Sequence, residues 1–192
     1  MSRQWRTRQT LWALAAPLAT AALLVTPGAA ATSAASAQAP SCQPWTSTLP
    51  PSPGAADNQF FGVTALSACD VWAVGNYRAV STGPLLSLAE HWNGTAWKVV
   101  PTPNPGTSIN FLRAVSAFSA SNAWAVGTQI ISTSRNTIIM RWNGSTWRQV
   151  PSPNPGQASE LAGVAATSAT SVWAVGDFSD GGPSQVLATH CC

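Results

Sequence analysis

The chain closes on His190, Cys191 and Cys192, three soft ligands in succession, and holds two more cysteines, Cys42 and Cys69. A His-Cys-Cys run could bind zinc through imidazole and thiolate, or cycle between thiol and disulfide. Neighbouring residues of an extended strand point to opposite sides, however, and no second His or Cys cluster stands at zinc-like spacing. Cys42 and Cys69 suit a disulfide closing a loop of 27 residues, worth about 3.5 kcal/mol if it acts by restricting the unfolded chain; the other reading is two separate thiols. Asp177-Phe178-Ser179-Asp180-Gly181-Gly182 has the acidic, glycine-rich character of a calcium loop, and equally that of a solvated turn. Two histidines and one tyrosine form no Ser-His-Asp set, H-E-x-x-H motif or phosphate loop. No catalytic residue, metal or cofactor is therefore expected.

Tryptophan is the most abundant aromatic, with ten residues, and flat indoles can stack on sugar rings. Their regular recurrence favours packing instead, because Trp72, Trp124 and Trp173 lie inside apolar runs and Trp92, Trp97, Trp142 and Trp147 flank two turns. Asn93-Gly94-Thr95 and Asn143-Gly144-Ser145 match the glycosylation pattern, but the turn accounts for them and no glycan is expected.

The elements that position these residues begin after the N-terminus. Arg3, Arg6 and Arg8 precede the apolar run Leu11 to Val25 and the small residues Ala29-Ala30-Ala31, the pattern of a secretory signal peptide cut after Ala31. Pro17 interrupts that run, which is shorter than the roughly 20 apolar residues of a membrane span. A secreted, extracellular chain is expected, with residues 32–44 as a linker and no membrane span once the signal is removed. The remaining 161 residues carry six basic and six acidic side chains. That balance leaves no basic patch for nucleic acid.

The rest of the chain repeats. Gly62 to Gly75 followed by His91 to Gly106 matches Ala114 to Gly127 followed by Arg141 to Gly156, and Gly163 to Gly176 opens a third copy. The tryptophans of the WAVG segments, Trp72, Trp124 and Trp173, follow one another at intervals of 52 and 49 residues. Each copy holds about four strand-sized pieces, with Val71 to Val74 closed by Gly75 as the second. Asn93-Gly94 and Asn143-Gly144 suit two-residue hairpin turns between the third and fourth. The PTPNPG and PSPNPG segments lack the N–H groups of a ladder strand and are expected to link one sheet to the next. A radially repeated four-stranded unit of this size is a β-propeller blade. The expectation is an all-β, β-propeller-like chain of about three four-stranded blades of some 50 residues, near 57–106, 107–156 and 157–192.

Aligning the third copy with the first sets Leu187-Ala188-Thr189-His190 beside Leu88-Ala89-Glu90-His91, so Cys191 and Cys192 replace Trp92 and Asn93. The terminal thiols thus stand where a hairpin would have continued. Residues 45–54, Trp45 to Gly54, resemble the fourth strand and exit Trp97 to Gly106, and are expected to complete the last blade. Three blades fall short of the four to eight of a closed ring. An incomplete ring, a fragment of a longer propeller, or self-association through open blade edges is expected.

The VWAVG, HWNG-x-x-W and P-x-P-N-P-G segments resemble a repeat of secreted bacterial proteins of unknown function and, more distantly, the kelch-type blades of galactose-oxidase-like propellers. A single glycine, Gly75, stands where kelch has a pair. The resemblance implies a non-catalytic extracellular binding or interaction module for a carbohydrate or protein ligand, in preference to a propeller hydrolase or lyase or a truncated, non-functional product. Recognition is expected where the copies differ. The segments after WAVG supply Tyr77, Arg78, Arg135, Asp177 and Asp180, and one repeat position supplies His91 and Arg141.

Overall fold

The structure, a computed structural model, describes residues 49–191. The expected signal peptide and linker, Cys42, residues 45–48 and Cys192 lie outside the described residues. The short alternating runs become β1 (Asn58–Ser67), β2 (Asp70–Arg78), β3 (Leu85–Trp92), β4 (Trp97–Val99), β5 (Ile109–Ser119), β6 (Asn122–Ile131), β7 (Ser134–Trp142), β8 (Trp147–Val150), β9 (Ala158–Ala166), β10 (Val172–Ser179) and β11 (Gln185–Cys191). The fold is all-β, and the eleven strands form one sheet curled into an open half-barrel.

Three units follow one another along it. β1, β2 and β3 form an antiparallel meander with β4 on the far edge of β3; β5 to β8 repeat this arrangement, and β9 to β11 repeat its first three strands. Successive units are joined by the parallel contacts Leu85–Ile109 and Arg135–Ala158. The third hairpin keeps the register of the first: Trp72 lies opposite His91 and Trp173 opposite His190. Residues 49–54, the described part of the strand expected to complete the last blade, carry no strand. Gly54 N–H donates to Asn58 Oδ1 at 2.7 Å, the same link that joins Gly106 to Asn110.

Strand alternation gives each unit two faces, and the apolar ones pair between units. Trp72, Val74 and Ala89 of the first unit share a core with Leu112, Val115, Ala125, Met140, Trp142 and Trp147 of the second. The indole of Trp72 packs 4.9 Å from that of Trp142 and 5.1 Å from that of Trp147. Val126 of the second unit is buried in turn against Leu161, Ala174 and Leu187 of the third.

Three local features differ from the sequence expectation. Gly75 does not close its strand, because β2 runs on to Arg78. A Cβ on Gly75, Gly127 or Gly176 would run into the carbonyl oxygen of Gln59, Phe111 or Glu160, so the WAVG glycine allows the neighbouring strand to bulge against it. The hairpin between Trp92 and Trp97 spans four residues and not two. Only Gly94 takes a left-handed φ, of 90°, while Asn93 Oδ1 accepts the N–H groups of Thr95 and Ala96, both at 3.0 Å. An Asn side chain that closes its own turn makes a tight primed turn unnecessary.

The proline-rich segments do more than link. Thr102 Oγ1 donates to Ser87 O at 2.9 Å, and Asn104 Oδ1 accepts the Ser87 N–H at 2.7 Å. In the second unit Ser152 Oγ donates to Thr137 O and Asn154 Oδ1 accepts the Thr137 N–H. Side chains thereby supply along the edges of β3 and β7 the hydrogen bonds that prolines cannot make.

Candidate functional site

The first strands of the three units, β1, β5 and β9, contribute residues near their starts to the lining of a cavity of about 420 Å³. Register explains which side chains face it: Gln59 lies opposite Asn76, and Phe111 lies opposite Thr128. The register of β1 shifts between Phe60 and Gly62, and that of β5 between Leu112 and Ala114. The extra residues there are Phe61 and Arg113, and both line the cavity. A bulge re-aims the side chain it carries. The WAVG glycine is the sequence mark of that bulge, and the bulged residue itself varies from Phe61 to Arg113 to Ala162 between copies.

Three arginines and two carboxylates set the electrostatics of the cavity. Arg78 Nε bonds Asp57 Oδ2 at 3.1 Å, and its Nη1 also donates to the carbonyl of Gly83. Arg135 Nη1 lies 3.4 Å from Glu160 Oε2. Arg113 has no carboxylate partner among the described residues; its guanidinium stands 4.8 Å over the ring of Phe111, which meets Phe61 edge-on at 4.7 Å. Arg113 Nε and Thr128 Oγ1 are buried without a hydrogen-bond partner among the described residues. A buried donor left unsatisfied costs about 1–3 kcal/mol. A bound polar group could remove that cost at both atoms.

Of the candidates read from the sequence, Arg78 and Arg135 line this cavity. The others stand elsewhere. Tyr77 alternates to the opposite face from Asn76 and Arg78, where it pairs with Asn58 and Leu86. His91 Nε2 bonds Asp70 Oδ1 at 2.8 Å, and its ring packs tilted against Trp72 at 4.5 Å. Arg141 lies over Trp124 at 5.3 Å. Asp177 faces Glu160 and Val186 across its two neighbouring strands, and Asp180 Oδ1 accepts the N–H of Gln157 at 3.1 Å. Cys69 is disulfide-bonded, its partner falling outside the described residues, and Cys191 is a free, exposed thiol. Sequence reasoning missed Arg113, Phe61, Phe111, Asp57, Glu160 and Thr128.

No family model matches the chain, and no match was found among the curated proteins or the solved structures.

Proposed function

We propose that the chain is a secreted, non-catalytic β-propeller-like binding module whose concave cavity takes an acidic saccharide. The carrying observation is the pair of buried, unpartnered atoms Arg113 Nε and Thr128 Oγ1 beside the Phe61–Phe111 rings. A carboxylate-bearing sugar offers an anion for Arg113, a hydroxyl for Thr128 and an apolar ring face for the phenylalanines. Arg113 is the one lining arginine without a carboxylate partner among the described residues, which favours an acidic over a neutral sugar. The two carboxylates each hold an arginine, an arrangement for fixing charge and not for moving protons. The repeating units, joined through paired apolar faces, support the propeller reading. The charged head, apolar run and small residues at the N-terminus support secretion.

Calorimetric titration with uronic-acid and neutral oligosaccharides is the test. The acidic set should bind saturably and lose at least tenfold in affinity on Arg113→Ala. Equal binding of both sets, or an unchanged affinity in Arg113→Ala, would refute this reading.

A further inference from the structure

The face of the first unit turned away from the second is buried at its centre without a described neighbour. Strand alternation puts Val71, Ala73, Leu88 and Glu90 on the side opposite Trp72, Val74 and Ala89, and their exposures are 8%, 5%, 1% and 0%. Among the described residues, no buried cluster contains Val71, Ala73 or Leu88, and neither carboxyl oxygen of Glu90 has a hydrogen-bond partner. The corresponding face of the second unit, with Ala123, Ala125 and Met140, is covered by the first unit. The cover over the first unit is narrower than that. Val63, on one flank of the buried strip, is 66% exposed where its equivalent Val115 is 7%, and Val99, on the other flank, is 39% exposed. Neighbouring strands lie about 4.8 Å apart, so a strip two strands wide matches one extended segment and not another four-stranded unit.

Two anchors identify that segment. Gly54 is held at the start of β1 by Asn58 Oδ1, and the Ala56 N–H donates to Arg78 O at 3.3 Å. Cys69 lies in the turn at the other end of β1, and its disulfide partner falls outside the described residues. Two cysteines stand there, Cys42 and Cys192. Cys192 follows Cys191, which pairs with Val172 in the third unit, and the second unit separates that strand from Cys69. A disulfide needs Cα atoms within about 7 Å of each other, which leaves Cys42. Gly54 comes twelve residues after Cys42, a reach of about 40 Å at full extension, and the ten residues of β1 alone take up about 30 Å. With so little slack the chain between the anchors runs nearly straight along the unit. Pro44, Pro50, Pro51 and Pro53 favour that extended form.

We infer that residues 42–48, tied through Cys42 to Cys69, lie as an extended strap over Val71, Ala73, Leu88 and Glu90, with Trp45 as the side chain that seals the strip. Trp45 is the sole large apolar residue of that segment, and a buried aromatic contributes about 150–250 Å² of contact. Thr46, Ser47 and Thr48 bring hydroxyl groups to a stretch that passes Glu90 and leave an uncharged polar outer surface. A repeat unit at the end of a stack needs such a polar cover over its apolar face. The strap contact is made wholly within residues 42–99, and it is independent of the saccharide reading and of the number of units in the assembly.

Hydroxyl-radical footprinting of the purified, oxidised chain compares Trp45 with Trp173, which is 51% exposed. Trp45 should be oxidised at least tenfold more slowly, and just as slowly after dilution. A Trp45 as reactive as Trp173 overturns the strap, and so does protection lost on dilution, which would assign the cover to a second copy. Peptide mapping without reductant should join Cys42 to Cys69; a link from Cys69 to Cys192 overturns the anchor and the strap with it. Trp45→Ser leaves the disulfide in place and should lower the melting temperature by about 5 °C or more while raising the oxidation of Val71 and Leu88; Trp45→Phe should keep most of the stability. An unchanged melting temperature in Trp45→Ser would mean a segment that is tethered but not docked. If Trp45→Ser does not fold, footprinting of the unaltered chain decides. Saccharide affinity should be the same in Trp45→Phe, so loss of the strap and loss of the proposed ligand are read separately.

Discussion

The second and third units share the WAVG repeat and meet different fates. In β7, Thr137 gives its N–H to Asn154, and its hydroxyl lies within hydrogen-bond distance of Ser152 Oγ, Pro153 O and Asn154 Oδ1. In β11 the same register position is Val186, 92% exposed. Trp124 is buried and Trp173 is not. The repeat thus specifies which residue occupies a face, while the next unit decides whether that face is core or surface. An identical side chain is worth several kcal/mol in one unit and little in the next.

Truncating the tryptophans tests that contrast most directly. At a dilution where the chain is monomeric, Trp72→Ala should cost about 3–5 kcal/mol through the cavity it leaves, and Trp173→Ala less than about 1 kcal/mol, both measured by urea denaturation. Comparable costs would mean that the third unit's face is covered.

Glu90 contrasts the first unit with the second, where Met140 holds the equivalent position. Its carboxyl is fully buried, with neither oxygen hydrogen-bonded among the described residues, and burial raises its pKa from 4.5 to about 7. The folded state holds this proton more tightly than the unfolded chain does. Stability should therefore fall as pH rises from about 4.5 to about 7 and level off above, by at most about 3 kcal/mol. Glu90→Met should flatten that slope in melts recorded across the range; an unchanged slope would assign it to another group.

The docked proline-rich segments come next. Thr137→Val removes the hydroxyl that lies within hydrogen-bond distance of the Pro153 carbonyl, while the backbone bonds to Ser152 and Asn154 remain, and should cost about 1–3 kcal/mol, whereas Val186→Thr in the third unit should stay within about 0.5 kcal/mol. The smallest effect belongs to the hairpins. Asn143→Ala removes the acceptor for Ser145 and Thr146 and should cost about 1 kcal/mol, read as a shift in the denaturation midpoint.

Much of the architecture was legible because it is local. The period of the WAVG tryptophans, the alternation within each run and the Asn-Gly turns fixed the strands and their order, since each depends on residues close in sequence. The register of the third copy followed from aligning Leu187 to His190 with Leu88 to His91. Half of the candidate site was hidden. Arg78 and Arg135 could be singled out because they lie in the variable segments after WAVG. Arg113 and Phe61 sit within strands that read as ordinary alternation, and only the bulge turns them toward the cavity. Thr128 carries no mark at all, because its significance is the absence of a nearby partner.

The sequence by itself determined an all-β chain of repeated meanders, with tryptophans where units pack and prolines where they join. Hydrogen-bonding capacity and side-chain period are properties of the residues in a segment, so no tertiary information was needed for that. The tertiary structure alone decided that Trp72 is core while Trp173 faces solvent, and that Phe61 and Arg113 meet Thr128 and Glu160 around one cavity. Burial and convergence are properties of the neighbours that folding supplies, and in this chain corresponding tryptophans of the repeat acquire different neighbours.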